Sequence, residues 1–399
     1  MRTMRMFAVP AILLAFAFLV ACGGGSSSSS SSTTPTQTIT SSGNNVASIS
    51  VNGGPEGNYA DAAFVSVTVC VPGSSNCQTI DNVLVDTGSS GLRVLSSVMT
   101  LPLTQQTSGG SPVVECFPFV SGNTWGPVQT ADVEVAGEKA SSVPIQVIGD
   151  SAFNSETVCS APQDDVNSLG ANGILGVGLF AQDCNASACL ASYDVYYACP
   201  SASTCTAITE AAAQQVQNPV SFFATDNNGV ILELPAVSGS EASVSGSLIF
   251  GIGTESNNAL GGATIYTADP DGNFTTKYNG TAYPDSFIDS GSNGYYFLDS
   301  SLTGITECGG DESGFYCPSS TMNVSATNQG VNGSSGAFTF SIENADTLFN
   351  SNDSAYSDLG GISATSAPYY FDLGLPFFFG RNLYTGLQNA TYPNGYWAY

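Results

Sequence analysis

Two short segments of this 399-residue chain repeat one order of chemically active residues. Residues 83–92 read VLVDTGSSGL and residues 286–295 read SFIDSGSNGY, so Asp86 and Asp289 each end an apolar run. In both copies a hydroxyl residue, a glycine and a serine follow the aspartate, and their hydroxyl and amide groups are hydrogen-bond donors. A carboxylate at the end of a buried strand is costly without such donors. The repeat therefore predicts two carboxylates that are held in place for chemistry.

Two such aspartates can form an acid–base pair without any other group. One copy alone is typical of a turn, but two matching copies separated by more than half of the chain indicate duplicated lobes. If the lobes pack face to face, the carboxyl groups share one proton, because both cannot ionise freely at short distance. The pair can then deprotonate a water molecule and protonate a peptide carbonyl. Asp86 and Asp289 are the predicted catalytic residues, and the residues expected to support them are Thr87, Gly88, Ser89, Ser290, Gly291 and Ser292.

The composition removes most other mechanisms. The chain holds 6 Lys+Arg, 32 Asp+Glu and no histidine, for a formal net charge of −26. Catalysis or metal binding by histidine is therefore impossible, and nucleic-acid binding is not expected because Lys and Arg form no cluster. We expect no cofactor and no metal. The excess of carboxylates predicts tolerance of acid, since their mutual repulsion weakens as they take up protons.

The N-terminal residues predict export and a lipid anchor. Two arginines precede an apolar run over residues 6–20, which is typical of a secretory signal and too short for a permanent membrane span. Residues 19–22, LVAC, are similar to a bacterial lipobox, so Cys22 is the expected lipidated residue. An ordinary signal peptide with an incidental cysteine is the alternative. We expect a lipoprotein of the bacterial cell envelope, on the outer membrane rather than the inner one.

The cysteine count agrees with an exported protein. Of the eleven cysteines, Cys22 is the expected anchor, and the other ten can form five disulfides in an oxidising compartment. Short spacing favours Cys70–Cys77 and Cys308–Cys317, and Cys116–Cys159 is the longer link that we expect. The four cysteines from Cys184 to Cys205 allow three pairings, which the sequence leaves open. A zinc site of these four is disfavoured, because they have no CxxC spacing.

The elements that must position these residues are short strands. Apolar or alternating runs such as residues 63–69, 131–135 and 338–342 are separated by Gly, Asn, Ser and Pro, which predicts an all-β protein. Residues 208–217, ITEAAAQQVQ, predict the one helix. The expected divisions are a signal peptide (1–21), a lipidated cysteine with a flexible Gly/Ser/Thr tether (22–46), an N-terminal lobe with the first motif (47–256) and a C-terminal lobe with the second (257–399).

The two motifs resemble those of the aspartic proteases, both pepsin-like and retroviral. Residues 86–90 (DTGSS) have the form of the first family motif, and residues 289–292 (DSGS) fit the second. In each lobe of that family an apolar-apolar-Gly segment runs beneath the catalytic loop. Residues 174–176 (ILG) match it, and residues 378–383 (FFGRNL) resemble the corresponding retroviral stretch. The chain is also similar to a group of bacterial lipoproteins with a VDTGSSGLR signature. The resemblance implies an all-β fold of two pseudo-symmetric lobes with a cleft between them.

The resemblance also implies a hairpin flap over the cleft and braced active-site loops. Pepsin-like proteases carry a tyrosine on the flap, whereas the matching residues here, 119–127, contain none, so Phe119 or Trp125 is the expected substitute. Arg93 stands where the family usually has a tryptophan. Arg93 and Arg381 lie in family-like segments of a cation-poor chain, and we expect them to brace the loops through buried ion pairs. Exposed solubility charges are the alternative.

These observations favour one function over two others. The favoured function is a secreted, lipid-anchored aspartic endopeptidase, expected to be a monomer, that binds a polypeptide across the cleft. The alternative is a non-catalytic envelope lipoprotein that uses the same bilobal fold to bind a peptide, a glycan or a partner protein. A surface adhesin or scaffold, indicated by the Gly/Ser/Asn/Thr-rich surface, is a weaker third.

Overall fold

The protein is built almost entirely from β-strands, as expected. A computed structural model describes residues 37, 39–153, 158–160, 162–184 and 188–399, so the predicted signal peptide and Cys22 lie outside the described residues. The strands are β1 (Val46–Val51), β2 (Ala63–Cys70), β3 (Cys77–Asp86), β4 (Ser90–Leu95), β5 (Thr104–Gln105), β6 (Thr107–Ser108), β7 (Ser111–Phe119), β8 (Gly122–Val135), β9 (Glu138–Ile148), β10 (Gly173–Val177), β11 (Ala188–Cys189), β12 (Tyr196–Ser201), β13 (Thr204–Ala207), β14 (Glu210–Ala211), β15 (Gly229–Leu234), β16 (Ser240–Glu241), β17 (Val244–Phe250), β18 (Ile265–Thr267), β19 (Phe274–Tyr278), β20 (Thr281–Ile288), β21 (Tyr295–Phe297), β22 (Met322–Gln329), β23 (Ser335–Ile342), β24 (Ala355–Tyr356), β25 (Gly360–Ile362), β26 (Asp372–Leu373), β27 (Arg381–Gly386) and β28 (Tyr396–Ala398).

Helices are short and peripheral among the described residues. They are α1 (Val166–Leu169), α2 (Ser300–Thr303) and α3 (Ala345–Phe349), with 3₁₀ turns at Ala191–Tyr193, Ala212–Gln214, Pro219–Phe222, Gly310–Glu312 and Leu375–Phe378. No helix in this part of the chain has the length and apolar character that a membrane span requires.

The predicted helix over residues 208–217 is wrong. That segment contains only β14 and one 3₁₀ turn, because its backbone groups bond to other parts of the protein. The N–H of Val216 donates to the Tyr196 hydroxyl over 2.8 Å, and the Gln106 amide donates to the Gln214 carbonyl over 2.9 Å. Tertiary hydrogen bonds here override the helix propensity of the Ala/Gln-rich sequence.

In the first lobe, a strand threads between the two strands that flank the first motif. β3 ends at Asp86 and β4 begins at Ser90. β10 pairs in parallel with β3, with Gly176 opposite Asp86, and antiparallel with β4. All five residues of β10 are buried, which explains its continuous apolar character. The expected ILG segment therefore supports the loop that carries Asp86.

The second lobe repeats this arrangement with a different segment from the predicted one. β26 pairs in parallel with β20 and antiparallel with β21, so the supporting segment is Asp372-Leu373-Gly374. The expectation that residues 378–380 fill this place is wrong. They end a 3₁₀ turn and lead into β27, which pairs with β15 at the junction of the lobes. The segment begins with an aspartate, so it does not match the apolar-apolar-Gly pattern on which the prediction was based.

The junction of the lobes is a continuous set of strands contributed by both halves of the chain. β1 pairs with β17, β17 with β15, and β15 with β27. β28 then joins β27 to β18. Seven other strands of the second lobe form a separate sheet, and β24 pairs with β16 of the first half. The hydrophobic core runs through both lobes, from Val85 and Leu175 to Ile288 and Leu373.

Five disulfides stabilise the loops. Cys70–Cys77, Cys116–Cys159 and Cys308–Cys317 are confirmed. The pairing that the sequence left open is Cys184–Cys189 and Cys199–Cys205, so these sulfurs bond to one another.

The segment beneath the second motif generates a prediction about two glycines. A Cβ on Gly374 would lie 2.3 Å from the Gly294 carbonyl oxygen, whereas one on Gly380 would lie 3.2 Å from the nearest side chain. Gly380 has a φ of +74° and so carries only a conformational cost. We expect Gly374→Ala to lower the free energy of unfolding by about 3 kcal/mol and Gly380→Ala by about 1 kcal/mol, measured by urea denaturation. A larger loss for Gly380→Ala would contradict the assignment of the segment.

Candidate active site

The two motif aspartates lie side by side at a cavity between the lobes. The cavity has a volume of about 710 Å³, and both Asp86 and Asp289 line it. A Cβ on Gly88 would lie 2.6 Å from Cγ of Asp289, and one on Gly291 would lie 2.8 Å from Oδ1 of Asp86. Glycine is thus required in each motif because the opposite carboxyl group packs against it. The two carboxyl groups are close enough that the negative charge of Asp86 raises the pKa of Asp289.

Each carboxyl group also accepts hydrogen bonds from its own motif. Asp86 accepts from the Gly88 N–H over 2.8 Å and from the Ser89 hydroxyl over 2.5 Å. Asp289 accepts from the Gly291 N–H over 2.7 Å and from the hydroxyl of Ser292 over 3.1 Å. These donors stabilise the ionised forms. The shorter serine contact favours the negative charge on Asp86.

The second residues of the two motifs lock the lobes together. The Thr87 N–H donates to the Ser290 hydroxyl oxygen over 3.1 Å, and the Ser290 N–H donates to Oγ1 of Thr87 over 2.9 Å. The Ser290 hydroxyl in turn donates to the Val85 carbonyl over 2.7 Å. Thr87 and Ser290 are fully buried, so water does not compete for these bonds. The reciprocal pair fixes the distance between the two loops.

Burial raises the pKa of Asp289 well above its usual range. The negative charges of Asp86 and Asp372 and the hydrogen bond to Asp86 raise it further, while the Gly291 N–H opposes them. These surroundings favour the protonated form of Asp289. The pair then has the protonation state needed for an acid and a base.

Several residues of the cavity were not predicted from the sequence. Tyr59, Tyr296 and Tyr370 line it. Burial raises the pKa of Tyr59, and the charges of Asp86 and Asp289 raise it further, which places its ring near the aspartates. Asp372, whose carboxyl accepts from the Ser292 hydroxyl over 2.6 Å, adds a third buried acid. No repeat marked Tyr296 and Asp372, because the residues in the equivalent positions of the first lobe are Arg93 and Ile174.

The hairpin of β7 and β8 reaches the cavity with Phe119 but not with Trp125. Phe119 pairs with Gly122 next to the tip, lines the cavity and packs against Phe117 with ring centroids 5.0 Å apart. Trp125 is buried beneath the hairpin and does not line the cavity. Its ring packs on Tyr197, on the opposite side of the hairpin from Phe119. Trp125 is therefore a core residue, and the prediction that it is a flap residue is wrong.

Arg93 lies in a buried ion-pair network under the hairpin. Its guanidinium contacts Glu115 over 3.0 Å and Asp183 over 2.8 Å, with all three side chains inaccessible to water. It also lies 3.9 Å from the ring centroid of Phe117. Burial raises the pKa of Glu115 well above its usual range, and the charge of Arg93 opposes that rise. The network connects β4 to the hairpin that carries Phe119.

Arg381 is placed differently from the expectation. Among the described residues it forms no ion pair. Its guanidinium donates to the Phe377 carbonyl over 2.7 Å and lies 4.4 Å from the centroid of that ring. Arg381 thus stabilises the turn before β27 by binding the backbone carbonyl and the ring of Phe377.

A metal site is not apparent in the described part of the chain. The one group of candidate ligands there is Cys308, Cys317 and Asp346, and the two sulfurs are joined in a disulfide.

Comparisons with known proteins show a family and a fold. A family described as "Protein of unknown function (DUF3443)" matches residues 41–399. No curated protein sequence matches the chain significantly. Among solved structures, that of an aspartic proteinase from Irpex lacteus is similar, with a TM-score of 0.51 and 16% sequence identity. The similarity covers 88% of this chain and 96% of that one. At this identity the likeness shows the bilobal aspartic-proteinase fold alone.

The Arg93 network generates a stability prediction. Arg93→Met leaves Glu115 and Asp183 buried without a cation, so we expect the free energy of unfolding to fall by about 3 to 5 kcal/mol. Lys139→Met is the matched control, because the Lys139 side chain also makes two ion pairs but is 43% exposed. We expect the control to lose less than about 1 kcal/mol. Equal losses in denaturant unfolding would contradict the bracing role of Arg93.

Proposed function

The chain belongs to the family described as "Protein of unknown function (DUF3443)", and we propose that it is an aspartic-type endopeptidase that hydrolyses peptide bonds with Asp86 and Asp289. The observation that carries this proposal is the side-by-side packing of the two motif carboxyl groups, each against the glycine of the other motif, in the cavity between the lobes. The fold, shared with an aspartic proteinase, supports it. Both aspartates come from one chain, which supports a monomer as the active form.

In the proposed reaction, Asp86 is the base and Asp289 is the acid. Asp86 takes a proton from a water molecule, whose oxygen attacks the peptide carbonyl carbon, while Asp289 gives its proton to the carbonyl oxygen. The resulting diol then collapses as one hydroxyl returns its proton to Asp289. The proton held by Asp86 passes to the leaving nitrogen, so the pair regains its starting state. The short bond from Ser89 and the raised pKa of Asp289 support this assignment.

The proposed substrate is an extended polypeptide with apolar side chains. The cavity opens between the lobes, and its walls carry aromatic residues from both of them. These residues are Phe117, Phe119, Phe180, Phe287, Tyr296 and Tyr370. Apolar walls with a few polar groups at the floor suit side-chain recognition beside a reacting peptide bond.

Substitution of either aspartate tests the enzymatic proposal. Asp86→Asn and Asp289→Asn each remove one of the two proton-transfer groups, so we expect at least about a hundredfold loss of cleavage. The assay is digestion of an unfolded protein at pH 3–6, with and without pepstatin. Asp311→Asn, a change of an exposed aspartate outside the cavity, is the matched control and should retain full activity.

Two results would overturn the proposal. Cleavage that survives in Asp86→Asn or Asp289→Asn protein would remove the pair from the mechanism. A wild-type protein that cleaves nothing at any pH, yet binds a peptide saturably, would replace the enzyme with the binding lipoprotein.

We also propose that the protein is exported and anchored to the outer membrane through a lipid on Cys22. The apolar run over residues 6–20 and the following LVAC segment support this location. Gln37 donates to the Arg381 carbonyl, and the Thr40 N–H donates to Glu233, so these residues contact the strands of the lobe junction. Neither residue lines the cavity. Gln37 and Thr40 therefore lie away from the cavity.

Substitution of Cys22 tests the anchor. We expect wild-type protein to sediment with membranes and to enter the detergent phase, and Cys22→Ser protein to remain in the soluble fraction, because it lacks the acyl chains. Ser26→Ala, in the same segment, is the control and should sediment like the wild type. Membrane association of Cys22→Ser protein equal to that of the wild type would contradict the lipid anchor.

A further inference from the structure

Asp372 places a third carboxyl group beside the motif aspartates. It lies on β26, opposite Phe287 of β20 and Tyr296 of β21. The residue in the equivalent position of the first lobe is Ile174, which lies opposite Leu84 and Arg93. The two lobes thus differ at one buried position directly under the motifs. The second lobe has an acid where the first has an apolar side chain.

The serine of the second motif connects Asp372 to Asp289. Oγ of Ser292 lies 2.6 Å from Oδ2 of Asp372 and 3.1 Å from Oδ2 of Asp289. A serine hydroxyl has one proton, so it can donate to only one of these carboxyl groups at a time. Ser89 has no such competitor and bonds to Asp86 over 2.5 Å. The difference between the motifs therefore follows from Asp372.

The surroundings of Asp372 contain acids and phenols but no cation. Asp372 is 3% exposed, and its Oδ1 has no hydrogen-bond partner. The titratable groups that face it are Asp86, Asp289, Tyr296 and Tyr370. No ion pair in the described part of the chain involves it. Burial raises the pKa of Asp372 to about 8, with Asp86 adding to the rise and Ser292 opposing it.

We propose that Asp372 is a positioning residue that acts through Ser292 to keep the shared proton of the pair on Asp289 as the pH rises. The role rests on the proposed function of Asp86 and Asp289. It extends that activity toward alkaline pH, where Asp372 ionises, beyond the range that the two motif aspartates alone would support.

The hydrogen-bond geometry gives the physical reason. While Asp372 is neutral, its proton lies on Oδ2, because Oδ1 has no acceptor nearby, and it donates to Ser292, which donates to Asp289. When Asp372 ionises, Ser292 turns its proton to Asp372 and withdraws it from Asp289. A negative charge is added next to Asp289 at the same time. Both changes strengthen the hold of Asp289 on its proton, so the pair stays singly protonated.

The pH dependence of kcat/KM tests this role in purified mature protein. Asp372→Ile gives the second lobe the residue of the first, and Asp372→Asn keeps the shape without the titration. We expect the alkaline limb of the pH profile to move to lower pH by about one unit in both variants. This shift equals about a tenfold loss of kcat/KM on that limb. At pH 4.5 we expect kcat/KM to change by less than about twofold. Asp311→Asn, a change of an exposed aspartate outside the cavity, should leave the profile unchanged. An unmoved alkaline limb, or an equal loss at every pH, would overturn the proposal.

A second measurement separates this inference from the proposed function. If the wild type cleaves nothing, the protein is not a protease, and thermal unfolding still reports on Asp372. Because the folded protein holds this proton and the unfolded chain releases it near pH 4, the wild type loses stability relative to Asp372→Asn as the pH rises from 4 to 8. A difference in unfolding midpoint between wild type and Asp372→Asn that widens from pH 4 to 8 and is constant above pH 8 supports a buried, protonated Asp372. A difference that is the same at every pH overturns that role.

Discussion

The reciprocal hydrogen bonds between Thr87 and Ser290 are the contact on which the rest of the site depends. Each residue donates its backbone N–H to the hydroxyl oxygen of the other, across the junction of the two lobes. Because the aspartates immediately precede these residues, the same contact brings their carboxyl groups together. The strands β10 and β26 support the two loops from below, so the distance between the carboxyl groups is set by buried backbone rather than by mobile side chains.

Scarcity of cations is the second constraint on this molecule. Arg93 is bound to Glu115 and Asp183 beneath the hairpin, and Arg381 is bound to backbone carbonyls at the lobe junction. Neither forms an ion pair with the aspartates of the cavity. Burial and mutual repulsion therefore raise the pKa of Asp289, which favours its protonated form in a chain that has no histidine. The acid-rich composition is thus compatible with a site that works while some of its carboxyl groups are neutral.

The sequence was informative where the local order of residues determines the structure. The strand, aspartate, hydroxyl residue and glycine follow one another directly, so both motifs and the fold could be predicted. The segment that threads beneath the second motif could not be predicted, because Asp372 interrupts its apolar pattern. Phe378–Gly380 matches that pattern but lies elsewhere. Trp125 and the residues after Ile208 were misassigned for a related reason. Their environment is decided by partners distant in the chain, such as Tyr197 and Tyr196, which no local pattern reveals.

The central claim is that Asp86 and Asp289 share one proton. Neutron diffraction from deuterium-exchanged crystals at pH 5 measures this directly, because it locates individual deuterons. The account predicts one deuteron between the two carboxyl groups, bonded to Asp289 and directed toward Asp86, with carboxyl oxygens about 2.5 to 3.0 Å apart. Two bare carboxylates, or carboxyl groups too far apart to share a deuteron, would contradict it.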